Sequence, residues 1–224
     1  MFFVITGTDT GVGKTVLTAW LARHLRARGV AVAALKPVAS GNRDDARVLQ
    51  AALGGALSLD EINPWHFRAP LAPVLAARHA GVKLKLAAVL EQIRAVSRRF
   101  EIVLVEGAGG LLSPLGEDFS TRELVAELRA VPIVVCPNRL GAVNQTLLVL
   151  SALPRRAAGG AQVVLVSPPR ADDVSRTNPQ LLAEFIDAAQ IHQLPWLREA
   201  DGGEGAIKNA RARAVLNSLL RLDA

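Results

Sequence analysis

The amino-acid sequence predicts an α/β fold, in which a mostly parallel sheet carries helices on both faces. Short apolar runs typical of strands alternate along the chain with longer stretches whose apolar residues recur at helical spacing. Of the 224 residues, 50% are hydrophobic, chiefly Ala, Leu and Val, and only 4% are aromatic. This composition suits helices packed on a buried parallel sheet. We expect one domain spanning residues 1–224.

The predicted strands are apolar runs bounded by glycine, proline or charged residues. The first of them, FFVIT, leads directly into a glycine-rich loop. In parallel α/β sheets the C-terminal ends of the strands meet at one edge, where ligands bind. In chain order, the predicted strands span residues 2–6, 30–35, 102–105, 132–136, 161–166 and 193–197.

The predicted helices follow from the spacing of their apolar residues. In the first, Leu17, Leu21 and Leu25 share a face, and Gly29 is suited to end the helix. Residues 36–43 are expected to form a loop, and residues 59–80, which contain Pro64, Pro70 and Pro73, an irregular segment. In chain order, the predicted helices span residues 14–28, 44–53, 84–98, 121–129, 140–153, 178–189 and 211–222.

Composition argues against several classes of partner. The formal net charge is +6, but the arginines are scattered and no aromatic-basic platform accompanies them, so we expect no nucleic-acid partner. Cys136 is the one cysteine, which excludes an internal disulfide, and its apolar neighbours indicate a buried thiol. The N-terminus does not resemble a signal peptide, and the apolar runs are shorter than the ~20 residues that cross a bilayer. We therefore expect a cytoplasmic protein with no membrane partner.

A phosphate-binding loop is predicted where the first strand meets the first helix. Its sequence is TDTGVGKT, residues 8–15. Backbone N–H groups and the positive end of the helix dipole favour phosphate there, and glycines allow it to approach closely. Lys14 is placed to contact the β- and γ-phosphates and the hydroxyl of Thr15 to bind Mg²⁺. The motif predicts a P-loop NTPase fold, although Thr8 stands where glycine is usual.

Lys36 opens the segment KPVASG at the end of the second predicted strand. Some P-loops carry a second lysine early in the loop, at the place that Asp9 occupies here. Strand ends point at the nucleotide site in this fold, so Lys36 is placed to supply the missing positive charge.

Acidic residues that suit Mg²⁺ follow two of the predicted strands. Glu106 ends an apolar strand, where P-loop enzymes place an acid that meets the metal ion, and the glycines after it leave room for phosphate or substrate. Asp44 and Asp45 begin the second predicted helix, and either of them is a candidate metal ligand.

The ordered set of motifs resembles the dethiobiotin synthetases of biotin synthesis. The similarity extends over nearly the whole chain, and family members are homodimers with substrate sites near the subunit interface. The matching segments are GTDTGVGKT, KPVASG, NPWHF at 63–67, VEGAGG at 105–110, LGAVN at 140–144 and LPWL at 194–197.

The resemblance implies a role for each matched position. Lys36 and Lys14 would be the catalytic cations. The metal ligands would be Thr15, Asp45 and Glu106, with Asp45 preferred over Asp44 because the family pattern matches residues 45–50. The diamine would contact Thr10, Ser40 and Asn144. The nucleotide would contact Gly11, Val12, Gly13, Lys14, Thr15, Val16, Asp45, Glu106, Gly107, Ala108, Gly109, Ser167, Pro195, Trp196 and Leu197.

The resemblance also implies the reaction. 7,8-Diaminopelargonate and CO₂ would give an N-carbamate, which attacks the γ-phosphoryl group of ATP. The resulting carbamic–phosphoric anhydride would close to the cyclic urea dethiobiotin, with release of ADP and phosphate. Ser167 and Pro168 replace an Asn-Asp pair in which the family's Asn contacts adenine, so nucleoside triphosphates other than ATP stay open.

Two alternatives share this fold. A cobyric-acid-type synthetase usually carries a glutaminase domain, for which 224 residues leave no room. A partitioning or metallochaperone switch ATPase would be expected to have a lysine in place of Asp9 and to lack KPVASG.

Overall fold

The computed structural model describes residues 1–196 and 209–220. The strands found there are β1 (Phe2–Gly7), β2 (Val32–Leu35), β3 (Val38–Ser40), β4 (Trp65–Phe67), β5 (Ile102–Glu106), β6 (Val131–Pro137), β7 (Gln162–Val166) and β8 (Ile191–Leu194). Six of them form a sheet in the order β2-β5-β1-β6-β7-β8, and all of its pairings are parallel. The parallel α/β sheet predicted from the sequence is therefore confirmed.

Helices connect these strands. They are α1 (Lys14–Ala27), α2 (Asp44–Ala52), α3 (Leu59–Ile62), α4 (Pro73–His79), α5 (Leu86–Ser97), α6 (Thr121–Glu127), α7 (Ala142–Ala152), α8 (Arg155–Ala158), α9 (Asp173–Leu182) and α10 (Ala210–Leu220). No helix in the described ranges is both long and apolar enough to cross a membrane.

The order of the strands places helices on both faces and fixes the ligand edge. From β1 the chain runs to β2, whereas each later connection runs toward β8. Because such crossovers are right-handed, α1 lies on one face and α5 to α9 on the other. Helix α10 packs against α1 and so covers the same face. The direction reverses at β1, which makes its carboxyl end the expected ligand crevice.

The core lies between the sheet and these two layers. Phe3, Val4 and Ile5 in β1 are at most 2% exposed, and so are Val103 and Leu104 in β5. A strand covered on both faces has no polar alternation, which explains why the central strands are continuous apolar runs in the sequence.

The segments predicted as a loop at 36–43 and as irregular at 59–80 contain regular structure. β3 and β4 form a separate parallel pair, with Ala39 opposite His66. Ser58 caps α3 in a reciprocal capping box with Glu61, a signal present in the sequence that the prolines outweighed. Pro73 begins α4, a position at which the missing N–H costs nothing.

The helix predicted at 178–189 lies earlier in the chain, at Asp173–Leu182. The side chain of Asp172 accepts a hydrogen bond from the Ser175 N–H (2.7 Å) and so begins the helix. Pro179 inside the helix has no N–H to offer the carbonyl of Ser175, and Asn138 Nδ2 donates to that oxygen instead (2.7 Å). The last strand likewise begins earlier than predicted, at Ile191 instead of residue 193.

We expect His192 on β8 to make the stability of the fold depend on pH. Its side chain is buried, its Nε2 lies 2.8 Å from Gln162 Oε1, and burial lowers its pKa. Below the ordinary value of about 6.5, the unfolded chain gains a proton that the folded chain does not bind, so the free energy of unfolding falls by up to about 1.4 kcal/mol per pH unit. The loss begins near that ordinary value and ends at the lowered folded pKa.

Urea unfolding between pH 7.5 and pH 5 tests this expectation. His192→Gln should have a smaller decrease in stability over this interval than the wild type, whereas His79→Gln, at an exposed site, should keep the wild-type decrease. An equal decrease in all three proteins would show that His192 does not cause it.

Candidate active site

The loop between β1 and α1 forms a cradle at the ligand edge of the sheet. Gly11 (φ +72°) and Gly13 (φ +100°) adopt the left-handed conformation that glycine tolerates best. A Cβ on Gly7 would lie 2.6 Å from Val12 Cγ2, so the loop also needs glycine for its close packing. Gly13 is the N-cap of α1 and has no side chain to satisfy the first N–H groups. These donors and the helix dipole suit a bound phosphate.

Lys14 is held inside this loop. Its side chain is buried, and Nζ donates to the backbone carbonyl of Asp9 (2.7 Å). Burial lowers the pKa of Lys14, with Lys36 adding repulsion, while Glu106 and Asp45 oppose the shift. Burial deprives this ammonium group of part of its hydration, and a bound anionic phosphate would stabilise its charge instead.

Lys36 lies between two carboxylates. Its Nζ contacts Asp45 Oδ2 and is 3.0 Å from Glu106 Oε1. Lys36 is 6% exposed and Glu106 is 1% exposed. Burial, the largest single effect, would lower the pKa of Lys36, but the two carboxylates together outweigh it and raise that pKa. Lys36 therefore stays charged at the ligand edge.

Three oxygen-bearing side chains gather beside this lysine. Thr15 Oγ1 donates to Glu106 Oε1 (2.6 Å), and Asp45 reaches the same cluster through Lys36. Glu106 Oε2 is buried without a hydrogen-bond partner among the described residues. Carboxylate and hydroxyl oxygens are the donors that Mg²⁺ prefers, and an unsatisfied buried carboxylate oxygen fits a cation. The predicted set of Thr15, Asp45 and Glu106 is therefore consistent with a magnesium site.

The other metal candidate, Asp44, points elsewhere. It pairs with Arg47 Nη1 (2.7 Å), and the side chains of both residues are more than half exposed. No group of three or more His, Cys, Asp or Glu side chains in residues 1–196 and 209–220 is arranged to hold a metal. A site here would therefore use Thr15 or the nucleotide in addition to the carboxylates.

The residues predicted to bind the diamine have no hydrogen bond to this cluster within the described part of the chain. Thr10 is exposed beside the glycines that follow β5, and its Oγ1 is 3.8 Å from the position that a Cβ on Gly109 would take. Ser40 donates its hydroxyl to the carbonyl of Leu71 (2.6 Å). Asn144 is exposed near the start of α7 and is not tied into the lysine cluster.

The residues predicted to contact the nucleotide base follow β7 and β8. Ser167 donates its N–H to the carbonyl of Leu194 (2.9 Å), which places the two strand ends side by side. Pro195 is half-buried and Trp196 is 51% exposed. Leu197 lies outside the described residues.

A feature that the sequence did not reveal is a cavity of about 430 Å³ beside the P-loop. The P-loop and the loop after β5 form one wall, with Thr8 and Ser113, and α7 forms the other, with Leu148 and Val149. Ser113 Oγ also accepts from the N–H of Gly110 (2.9 Å) and fixes the glycine loop. In the sequence, this contact corresponds to a serine three residues after a glycine, a pattern too common to predict the hydrogen bond.

Comparison with known proteins assigns the family. A family model described as an AAA domain matches residues 2–203. The chain is 40% identical over 200 residues to the "ATP-dependent dethiobiotin synthetase BioD" of Anaeromyxobacter sp. (strain Fw109-5), covering 87% of this chain and 90% of that protein. The chain belongs to the dethiobiotin synthetase family.

Other relatives with the same name agree with this assignment. The protein from Thermodesulfovibrio yellowstonii is 32% identical over 235 residues, covering 96% of this chain and 98% of its own length. That from Mycolicibacterium vanbaalenii is 44% identical over 166 residues, covering 72% and 73%. At the level of the family, the prediction of an ATP-dependent ligase of biotin synthesis is confirmed.

Solved structures support the fold alone. The MinC:MinD cell division protein complex of Aquifex aeolicus matches with a TM-score of 0.60 at 17% identity, covering 99% of this chain and 95% of that chain. The predicted P-loop fold is thereby confirmed. The switch-ATPase alternative gains nothing from this likeness, because at 17% identity it shows the fold alone, whereas the dethiobiotin synthetases named above match in sequence at 32–44% identity.

Proposed function

We propose that this chain converts 7,8-diaminopelargonate and CO₂ into dethiobiotin, with Mg²⁺ and ATP. The observation that carries the proposal is Lys36, held between Asp45 and Glu106 at the mouth of the P-loop. The family supplies the substrate, since the relatives are named ATP-dependent dethiobiotin synthetases.

The reaction brings two anions together. One amine of the diamine adds to CO₂ and loses a proton to give the carbamate. A carbamate oxygen then attacks the γ-phosphorus, and ADP leaves. The second amine attacks the carbonyl carbon of the mixed anhydride, the C–O bond to phosphate breaks, and the cyclic urea forms. The second step, in which the carbamate meets the triphosphate, needs positive charge near oxygens that repel one another.

The two lysines suit that requirement. Lys14 would contact the phosphates from inside the P-loop, and Lys36 would lie between the carbamate and the γ-phosphoryl group. Both ammonium groups are already buried and held by protein oxygens, so little reorganisation is needed during the reaction. Catalysis would consist mainly of positioning and charge stabilisation, in keeping with phosphoryl transfer generally.

The metal ion would be held by Thr15, Asp45 and Glu106. When bound with the nucleotide, Mg²⁺ neutralises charge on the β- and γ-phosphates. Glu106 then has two tasks, because it also holds Lys36 through Oε1. Its partnerless Oε2 is the atom that supports this assignment.

We assign the remaining contacts as follows. Thr10, Ser40 and Asn144 would contact the diamine, and the Ser40 hydroxyl can still accept a hydrogen bond while it donates to Leu71. Ser167, Pro195, Trp196 and Leu197 would surround the base and ribose. Gly107, Ala108 and Gly109 would lie beside the phosphates together with residues 11–16.

Phosphate release tests the proposed function. The assay combines Mg²⁺ and bicarbonate with ATP, CTP or GTP, with and without 7,8-diaminopelargonate. The product is identified by mass spectrometry. We expect release that depends on the diamine and yields dethiobiotin. Because Pro168 and Pro169 have no N–H to offer a base edge, we expect CTP and GTP to support measurable turnover. Phosphate release at the same rate with and without the diamine would indicate a switch ATPase instead.

We further propose a cytoplasmic, single-domain protomer that forms a homodimer. Leu112 and Leu148, which line the cavity beside the P-loop, are 59% and 61% exposed, and Leu140 before α7 is 83% exposed. Leu112 and Leu148 line the same cavity, and exposed leucines grouped in this way favour a protein contact. Sedimentation should give a dimer mass, and Leu148→Glu should shift it toward the monomer, whereas Leu181→Glu on α9, also at an exposed leucine, should not. A monomeric wild-type protein would contradict the proposal.

A further inference from the structure

The backbone of Lys36 is held from outside the main sheet. β2 pairs with β5 as far as Leu35. At the next residue, the Lys36 N–H donates to the carbonyl of Ile62 (2.9 Å), and the Lys36 carbonyl accepts from Asn63 Nδ2 (2.8 Å). Both backbone polar groups of the lysine are therefore bonded to the end of α3 and the residue that follows it.

Asn63 is fully buried and its polar groups are used. It is 0% exposed, and its N–H donates to the carbonyl of Leu59 (2.8 Å). Its Oδ1 accepts from Arg43 Nε (3.3 Å), and its carbonyl accepts from Arg43 Nη2 (2.7 Å). A buried amide is costly unless it is bonded in this way, so the contacts fix its position.

Arg43 links this amide to the second partner of Lys36. The arginine immediately precedes α2, whose second residue, Asp45, contacts Lys36 Nζ. Its guanidinium also binds Asp60 Oδ1 (2.6 Å) and the carbonyl of Leu59 (2.9 Å). The side chain of Asn63 thus bonds both the backbone of Lys36 and the arginine that immediately precedes α2.

We propose that Asn63 and Arg43 are positioning residues, which set the place of the Lys36 ammonium relative to the Asp45 carboxylate. The inference rests on the proposed catalytic role of Lys36. Neither residue is part of the P-loop, so their loss is expected to displace the lysine while the phosphate cradle of residues 8–15 keeps its own packing. A displacement of about 1 Å at a catalytic group is enough to cost roughly 10²-fold in rate.

The first experiment measures kcat and the KM for ATP in Asn63→Ala. We expect kcat to fall about 10- to 100-fold while the KM changes by less than about threefold. The same change is then made in Lys36→Gln. Since Asn63 acts through Lys36, Asn63→Ala should lower kcat little further when Lys36 is already replaced. The effects of the two substitutions on kcat should therefore be strongly non-additive.

Arg43→Lys extends the test to a partly exposed side chain, where a substitution disturbs folding less than at the fully buried Asn63. Lysine keeps the charge but not the planar fork, and we expect kcat to fall about tenfold. Arg47→Lys is the matched control, since Arg47 is exposed on α2 and, among the described residues, its side chain pairs with Asp44 alone; this variant should keep the wild-type kcat.

The outcomes separate this inference from the proposed function. Equal losses from Asn63→Ala in the wild-type and Lys36→Gln backgrounds would overturn it, because they indicate a general effect on the fold. A wild-type kcat in either Asn63→Ala or Arg43→Lys would also overturn it. If Asn63→Ala does not fold, the cycle of Arg43→Lys with Lys36→Gln decides. Full activity of Lys36→Gln would instead contradict the proposed role of Lys36.

Discussion

Lys36→Gln is expected to lower the turnover number by about 10²-fold or more, consistent with the loss of one transition-state contact. Lys36 Nζ is buried and bonded to both Asp45 and Glu106, so its charge is already in place before substrates bind. Glutamine can keep one of these hydrogen bonds but brings no positive charge between the carbamate and the γ-phosphoryl group. The measurement is steady-state turnover with saturating diamine, bicarbonate and ATP.

Two controls accompany this variant. Lys83→Gln removes a positive charge from an exposed site and should keep wild-type turnover. Because Lys36→Gln leaves Asp45 and Glu106 facing each other, its thermal unfolding should be compared with that of the wild type in the presence of Mg²⁺ and nucleotide. Near-normal turnover in a folded Lys36→Gln protein would remove the lysine from the proposed mechanism.

The parts of the site that the sequence predicted are those carried by strand ends. Lys14 follows β1, Lys36 follows β2 and Glu106 ends β5. In a parallel sheet these ends share one edge, so knowing the strands was enough to bring the three residues together. In the structure Lys36 contacts Glu106 and Glu106 contacts Thr15, which agrees with that expectation.

What the sequence did not predict depends on contacts between distant segments. The pairing of β3 with β4 joins two runs of three residues, which are too short to show a period of two. The bonds of Asn63 to Lys36 and Arg43 cross 27 and 20 residues of the chain. No local pattern specifies such contacts, although a fully buried asparagine in the structure identifies them at once.

Helix α9 shows a different limit. Asp172 caps this helix and Pro179 lies inside it, although proline is unusual in a helix interior. The structure resolves the conflict with a side chain from another strand end, since Asn138 bonds the carbonyl that Pro179 leaves without a donor. The rule that proline disfavours a helix interior fails where a tertiary contact supplies the hydrogen bond that proline cannot donate.

Glu106→Gln is expected to have the second large effect, on both metal dependence and turnover. The carboxylate accepts from Thr15 and Lys36 through Oε1, while its buried Oε2 has no partner in the described part of the chain. Glutamine has nearly the same shape but no charge, so one charged contact with the metal ion is lost. Contacts of this kind contribute about 1.5–3 kcal/mol, which corresponds to a rise of roughly 10- to 100-fold in the Mg²⁺ concentration for half-maximal activity.

Titration of activity with Mg²⁺ at fixed nucleotide concentration measures this shift. Glu91→Gln is the matched control, because Glu91 is exposed on α5 and its loss should leave the titration unchanged. Lys36 links the two large effects. In Glu106→Gln the lysine keeps Asp45 as its one carboxylate contact among the described residues, so turnover should stay below wild type even at saturating Mg²⁺. A variant that recovers full turnover once Mg²⁺ is raised would show that Glu106 acts on the metal alone and not through Lys36. Unchanged Mg²⁺ dependence would remove Glu106 from the metal site.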